Sequence, residues 1–235
     1  MGNEQRALDV KGEENVSVQR GIANDLLLTP YRSPVVRRLG LVDYEPTWRA
    51  MQDFTARRGA DTPDELWVLQ HPPVYTLGIA GKAEHLPRID NGIPLIKIDR
   101  GGQITYHGPG QIVVYLLLDM RRLGLSVRPL VRLMEQSVVN TLAEYGVVAH
   151  GRVDAPGVYV DDAKITALGL RIKRNCCYHG LALNVDMDLA PYAAINPCGY
   201  PGLTVTQARA LGIADALESI GDKCVEHLLR LLQPH

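Results

Sequence analysis

A cysteine flanked by proline and glycine is the side chain in this sequence best suited to nucleophilic chemistry. Cys198 stands in the run Asn196–Gly199, within an irregular segment rich in proline and glycine that extends from Pro191 to Gly202. A cysteine in such a loop has little packing role, whereas catalytic side chains are often carried on loops. The other cysteines lie in strand- or helix-like runs, which predicts packing as small hydrophobic side chains: Cys176, Cys177 and Cys224. Cys198 is therefore the candidate nucleophile.

A thiol must lose its proton before it attacks, and its ordinary pKa of about 8.5 leaves most of it protonated at neutral pH. A neighbouring cation or base would favour the thiolate. Lys164 follows the Asp161–Asp162 turn at the beginning of a predicted strand, where a lysine is most often simply solvated. His107 and His179 each precede a glycine, and a Cys–His pair is the commoner arrangement. Because the pairing is spatial, these residues alone leave the partner of Cys198 open.

The stretch Arg100–Gln111 predicts a recognition loop. It contains four glycines and one proline in twelve residues, a composition that lets the backbone approach a ligand closely. Apolar, β-branched runs at Ile93–Ile98 and Ile112–Leu118 predict a strand on either side. A plain Gly/Pro hairpin is the alternative, but a hairpin turn needs only two to five residues. The polar side chains of the stretch favour recognition: Arg100, Tyr106, His107 and Gln111.

Hydrophobic periodicity predicts a mixed sheet with helices packed on its face, in the α+β or mixed α/β class. Apolar residues at helical spacing predict helices over Tyr44–Arg58, Val127–Tyr145 and Asp215–Leu232. Extended segments are predicted at Val35–Val42, Glu65–His71, Val74–Ile79, Val147–His150, Gly157–Val160, Lys164–Lys173 and Cys176–Val185. No linker divides the chain, so we expect one catalytic domain over residues 31–235 after a loosely ordered N-terminal extension, residues 1–30.

Composition argues against several functional classes. The 235 residues carry a net charge of −1, so no overall field points to nucleic acid or to a membrane surface. No apolar run approaches the length of a membrane span and no signal-peptide pattern is present, which favours a cytoplasmic protein. The four cysteines have neither disulfide-framework nor zinc spacing, so no metal is expected. The glycine-rich stretch lacks both the GxGxxG and the P-loop pattern of nucleotide binding.

Four motifs, in this order along the chain, resemble the octanoyltransferase family, the lipoyl(octanoyl) transferases that begin protein lipoylation. The matching segments are Arg100–Gln111, Ala163–Arg171, His179–Asn184 and Asn196–Gly199. The likeness extends from about Val35 to Gln207 and is specific, because four separate motifs recur in order. The resemblance implies the fold of the biotin and lipoate protein ligases, a mixed β-sheet flanked by helices.

The resemblance also implies roles for individual residues. Cys198 would accept the acyl group and Lys164 would activate it, a choice that the residues alone left open. For His179, as for His107, binding of substrate and support of the loop both remain open. The resemblance implies that the following residues line the acyl site: Arg100, Gly101, Gly102, Gln103, Ile104, Thr105, Tyr106, His107, Ala167, Leu168, Gly169, Gly180, Leu181 and Ala182. The implied donor is octanoyl-acyl carrier protein, and no cofactor is needed. The implied acceptors are the lipoyl domains of 2-oxoacid dehydrogenase complexes and the glycine cleavage H protein.

Two other classes compete with this interpretation. A lipoate or biotin ligase activates the free acid with ATP and shares the glycine-rich loop and the lysine, but it needs no nucleophilic cysteine. A non-catalytic module that binds acyl carrier protein is the second alternative. Because acyl carrier proteins are generally acidic, the basic strand end formed by Arg171, Lys173 and Arg174 is a candidate docking patch, although a solvated sheet edge explains these charges equally well.

Overall fold

The computed structural model describes residues 32–88, 90–197, 200 and 202–233. The predicted N-terminal extension and Cys198 therefore lie outside the described residues. In chain order the strands are β1 (Val35–Leu41), β2 (Glu65–Gln70), β3 (Val74–Leu77), β4 (Leu95–Lys97), β5 (Ile104–His107), β6 (Gln111–Asp119), β7 (His150–Gly151), β8 (Gly157–Val160), β9 (Ala163–Lys173) and β10 (Cys176–Asn184), and the helices are α1 (Tyr44–Arg57), α2 (Val127–Ala143) and α3 (Leu217–Leu232).

The strands form two sheets. The larger sheet has seven strands in the order β1-β2-β6-β10-β9-β8-β7, and the smaller has three in the order β4-β3-β5. Each sheet is mixed, because β1 runs parallel to β2 and β3 runs parallel to β4, while the remaining neighbours are antiparallel. The mixed sheet predicted from the sequence is confirmed.

The interior strand β6 shows why helices cover both faces of the larger sheet. Its side chains alternate between two cores, with Val114 and Leu116 in one and Val113 and Leu117 in the other. The first core is closed by α2 and α3, and the second by Met51 on α1. Because both faces of β6 are buried, its sequence is a run of apolar residues rather than an alternation of apolar and polar ones.

The strongest predicted helix is confirmed as α2. Leu130, Met134, Val138 and Leu142 recur every four residues and are fully buried against the sheet. The helix ends at Ala143, two residues before the predicted end, and the chain then reverses. Among the described residues, no helix has both the length and the apolar character needed to cross a membrane.

Two sequence predictions on strands are wrong. The stretch Arg100–Gln111 is not loop throughout, because β5 lies inside it and pairs with β3. That pairing supplies backbone hydrogen bonds that the local sequence does not reveal. The strand predicted at Val147–His150 is displaced to β7, and Val148, inside the predicted strand, is 87% exposed.

The hairpin between β9 and β10 turns as predicted at Arg174–Asn175. Both residues have positive φ, 52° and 60°, which is the geometry of a two-residue turn whose twist suits antiparallel strands. The pairing of β9 with β10 then sets Gly169 opposite Gly180 and Leu168 opposite Leu181. This register places two separate motifs side by side.

Candidate active site

A cavity of about 340 Å³ is bordered by residues of the first three motifs and by Tyr200, the residue directly after the fourth. Every residue predicted to line the acyl site borders it except Tyr106, and both Lys164 and His179 border it as well. Its walls also include side chains that the sequence did not single out: Tyr44, Val113, Tyr115, Val127, Val131, Ala155, Pro156, Leu170 and Tyr200. Small and apolar residues predominate, and a few polar groups converge on them. This is the usual composition of a small-molecule site.

The floor of the cavity needs glycine because backbones approach closely there. A Cβ at Gly180 would lie 2.0 Å from the carbonyl oxygen of Val114, and one at Gly169 would lie 2.9 Å from Cδ of Arg100. The N–H of Gly101 donates to the carbonyl of Leu170 at 2.9 Å, which ties the glycine-rich loop to β9. The glycines thus bring the loop and the sheet into direct contact.

Arg100 holds the loop from inside. Its Nη2 donates to the carbonyl oxygen of Thr76 at 2.7 Å and to Oγ1 of the same residue at 2.9 Å. Its Nη1 donates to the carbonyls of Gly101 and Gln103 at 2.9 and 3.0 Å. The five donors of a guanidinium suit such a task, so Arg100 shapes the cavity wall as well as bordering it.

His107 borders the cavity as a neutral imidazole. Its Nδ1 lies 2.8 Å from Oε1 of Gln111, and its Nε2 lies 3.3 Å from Oγ1 of Thr76. Burial and the neighbouring His71 lower the pKa of His107 to about 3. A histidine in this environment cannot supply the positive charge that would stabilise a thiolate at neutral pH.

His179 is anchored to a carboxylate that sequence reasoning missed. Its Nε2 donates to Oδ1 of Asp99 at 3.1 Å, and Trp48 donates to the same oxygen at 2.8 Å. Burial alone would raise the pKa of Asp99, but hydrogen bonds from His179, Tyr178, Trp48 and Gln52 hold it well below its usual range. Burial also lowers the pKa of His179. The indication in the sequence that Asp99 belongs to the site was its position directly before Arg100, where the glycine-rich stretch begins.

Lys164 is buried, so the ordinary expectation of a solvated strand-end lysine is wrong. The residue is 3% exposed, and its Nζ donates to the carbonyl of Pro156 at 3.0 Å. The same Nζ lies 5.3 Å from the centre of the Tyr159 ring. The backbone N–H of Lys164 donates to the carbonyl of Thr204 at 2.8 Å, and its carbonyl accepts from the N–H of Thr206 at 2.9 Å. The segment that follows Cys198 in the sequence is therefore hydrogen-bonded to this lysine.

The described residues on either side of Cys198 are also anchored. The Oδ1 of Asn196 accepts from Nη2 of Arg88 at 2.7 Å, and its Nδ2 lies 3.2 Å from Nδ1 of His85. The N–H of Tyr200 donates to the carbonyl of Pro197 at 3.1 Å, and Tyr200 borders the cavity. Arg88 and His85 carried no signal in the sequence, because they lie more than a hundred residues away.

The three described cysteines are buried within the fold, as predicted. Burial raises the pKa of Cys177 to about 12 and that of Cys224 to about 11, and it also raises the pKa of Cys176. Thiols in such surroundings are poor nucleophiles.

Tyr106 and His71 lie close to the cavity, and neither borders it. Tyr106 packs between Tyr75 and Tyr192, with ring centres 5.6 and 5.5 Å away, and it does not border the cavity. His71 bonds through Nε2 to the hydroxyl of Tyr115 at 2.8 Å, and burial lowers its pKa to about 4. Within the described part of the chain, no three His, Cys, Asp or Glu side chains cluster as metal ligands would.

Comparison with known proteins first defines the class. The family model for the lipoyl protein ligase A/B catalytic domain matches residues 43–228. A crystal structure of lipoate-protein ligase A bound with ATP has a TM-score of 0.72 at 16% identity and covers 86% of both chains. Biotin protein ligase from Aquifex aeolicus in complex with biotin and ATP has a TM-score of 0.56 at 13% identity, covering 84% of this chain and 70% of that one. The predicted fold is confirmed.

Closer relatives then identify the family. The octanoyltransferase of Azoarcus sp. (strain BH72) is 64% identical over 200 residues, which are 85% of this chain and 88% of the relative. The octanoyltransferase of Dechloromonas aromatica (strain RCB) is 63% identical over 199 residues, 85% of this chain and 97% of the relative. The chain belongs to the octanoyltransferase family and is an acyltransferase, as the motifs predicted.

Proposed function

We propose that this protein transfers an octanoyl group from acyl carrier protein to a lysine of a lipoyl domain, through a thioester on Cys198. The observation that carries the proposal is the buried Lys164 in the wall of a largely apolar cavity. The acceptors would be the lipoyl domains of 2-oxoacid dehydrogenase complexes and the glycine cleavage H protein. Anchored residues on both sides of Cys198 support a nucleophile at this cavity.

In the first half-reaction the thiolate of Cys198 attacks the carbonyl carbon of the octanoyl thioester. The bond to the carrier sulfur breaks, and the ammonium of Lys164 gives its proton to the departing thiolate. One thioester replaces another of similar energy, so the step needs no ATP. Lysine's ordinary pKa of about 10.4 exceeds that of cysteine, which favours an ammonium beside a thiolate at the start.

In the second half-reaction the amine of the acceptor lysine attacks the thioester carbonyl on Cys198. The C–S bond breaks, an amide forms, and Lys164, now neutral, takes the proton that the attacking amine must lose. Conversion of a thioester to an amide is downhill, so this step also needs no external energy. A single lysine thus serves as acid in one half-reaction and as base in the other.

The cavity accounts for selection of an acyl chain. Its lining includes Val113, Val131, Leu168 and Leu181, and its volume of about 340 Å³ falls within the range of small-molecule sites. Burial of six methylene groups at ~0.8 kcal/mol each would supply about 5 kcal/mol of binding free energy. Because the wall around Arg100 and His107 is polar, hydrogen bonds there would orient the carbonyl end of the substrate.

An ATP-dependent ligase is the second candidate, because the structural neighbours include ligases solved with ATP. The test is transfer to a lipoyl domain under two conditions, octanoyl-carrier without ATP and octanoate with ATP. We expect product in the first condition only. Product in the second condition alone would establish the ligase, and carrier binding without product in either would establish a binding module.

The basic end of β9 is a candidate surface for docking of the acyl carrier protein. Lys173 and Arg174 are exposed, and neither is part of an ion pair among the described residues. If this end contacts an acidic carrier, Lys173→Glu together with Arg174→Glu should raise the KM for the carrier about tenfold and weaken its salt dependence, with kcat nearly unchanged. The measurement is steady-state transfer at several salt concentrations.

The matched control for this pair is Arg230→Glu, an exposed charge on α3, which should leave the KM unchanged. Equal KM values and equal salt slopes for the double variant and the wild type would show that this end does not bind the carrier.

A further inference from the structure

Glu135 is a buried carboxyl group that the proposed mechanism does not use. It lies on α2 with its side chain 5% exposed, beside the residues that pack into the sheet. Its Oε2 lies 3.9 Å from Nη1 of Arg132, and a Cβ at Gly151 would come within 2.7 Å of this oxygen. Burial raises the pKa of Glu135, while the Gly157 N–H, Arg132 and Lys164 act in the opposite direction. A polar group buried at this cost requires a structural or functional reason.

One peptide group connects Glu135 to Lys164. The N–H of Gly157 donates to Oε1 of Glu135 at 3.0 Å. The carbonyl of the same peptide group, contributed by Pro156, accepts from Nζ of Lys164 at 3.0 Å. A peptide group is planar, and its N–H and C=O point in opposite directions. Fixing the N–H therefore fixes the direction in which the carbonyl meets the ammonium.

Gly157 leaves no room for another arrangement. Its φ is +152°, a conformation that other residues rarely adopt, and a Cβ there would lie 2.3 Å from Cε and 3.0 Å from Nζ of Lys164. The lysine side chain thus lies directly against this glycine, whose N–H is held on its other side by Glu135. Hydrogen bonds at both ends of one peptide group also polarise each other.

We propose that Glu135 is a positioning residue for Lys164, which acts by orienting the peptide group between Pro156 and Gly157. This inference rests on the proposed function, since it assigns Lys164 to the chemistry. The carbonyl fixes one N–H direction of the ammonium and so sets the approach of the amine to the reacting sulfur. A misplacement of about 1 Å in such a group can reduce turnover about a hundredfold.

Three substitutions separate orientation from charge. Glu135→Gln keeps the length and an acceptor oxygen but removes the charge, and we expect kcat within about threefold of wild type. Glu135→Asp keeps the charge but is one methylene too short to reach Gly157, and Glu135→Leu removes the acceptor altogether. For these two we expect kcat about 10- to 100-fold lower, with the KM for the carrier nearly unchanged.

A second readout separates positioning from folding. The rate of Cys198 alkylation against pH reports the thiol pKa, which should rise in Glu135→Asp and Glu135→Leu and stay unchanged in Glu135→Gln. The control is Glu65→Gln, another buried carboxyl, which accepts from Arg37 and Trp67 at 2.6 Å and does not border the cavity. It should lower the melting temperature without changing kcat or the alkylation profile.

Each outcome decides the matter. If kcat is nearly normal in Glu135→Asp but reduced in Glu135→Gln, the charge of residue 135 matters rather than its orientation of the peptide group. A nearly normal kcat in all three variants would also overturn the proposal. If Glu135→Leu fails to melt cooperatively, the Asp and Gln variants alone decide. Lys164→Met is the companion measurement. Full transfer activity in Lys164→Met would refute both the function of Lys164 and this inference. If Lys164→Met loses activity while all the Glu135 variants keep theirs, only this inference is refuted.

Discussion

Replacement of Cys198 by alanine is expected to abolish octanoyl transfer, with residual activity lower by about 10³-fold or more, because no thioester can form. Incubation of the wild-type protein with octanoyl-carrier and without ATP should add one octanoyl group, visible by intact-protein mass spectrometry and released by hydroxylamine. The same incubation of Cys198→Ala should give no adduct. The thiols of Cys176 and Cys177 cannot substitute, since burial raises the pKa of both.

The matched control is Cys176→Ala, which removes a buried thiol from the same protein and should retain both the adduct and the activity. An adduct that persists in Cys198→Ala would place the acyl group on another residue and contradict the mechanism. A wild-type protein that binds the octanoyl-carrier yet never acquires an adduct would exclude covalent transfer.

Replacement of Lys164 by methionine is expected to reduce kcat by about 10²- to 10⁴-fold, the range associated with loss of a general acid–base group. Methionine preserves an unbranched side chain next to Gly157, so the change removes the charge and the proton and little packing. Without the ammonium, the apparent pKa of the Cys198 thiol should move up towards about 8.5. The measurements are kcat for transfer and the rate of Cys198 alkylation across pH.

Lys164→Arg separates the two roles of the lysine. A guanidinium stays protonated in proteins, so it can stabilise a thiolate but can neither give its proton to the departing thiolate nor accept the proton of the incoming amine. We expect the pKa of the Cys198 thiol to stay low in this variant, while kcat for transfer falls as it does in Lys164→Met. The control is Lys97→Met, an exposed lysine on β4 that does not border the cavity. Normal transfer by Lys164→Met would contradict the assignment of this residue.

Much of the fold followed from periodicity because the relevant physics is local. The alternation along β6 and the four-residue spacing on α2 report which faces are buried, and both elements formed where predicted. The strand β5 was missed because its backbone partners come from β3, and the local signal there is dominated by glycine and proline. The displaced strand β7 has the same cause, since two residues pairing with β8 carry no periodicity.

The site likewise has features that the sequence reveals and features that it does not. Two of them are properties of residue type and can be recognised in the amino-acid sequence alone: glycine where backbones touch, and a loop cysteine between proline and glycine. Burial of Lys164, anchoring of His179 by Asp99 and the link from Glu135 to Lys164 through one peptide group are properties of three-dimensional packing. A lysine at the beginning of a strand looks the same in sequence whether it is solvated or buried.

The sequence by itself determined the family, the candidate nucleophile and, through the family resemblance, more than half of the residues around the cavity, because chemistry and close backbone approach restrict residue types at those positions. Only the tertiary structure decided how these residues act together. The seven-stranded sheet places β9 and β10 in register, the smaller sheet brings Arg100 and His107 to them, and α2 contributes Glu135. Hydrogen bonds and desolvation depend on distances between residues far apart in the chain, and those distances exist only after folding.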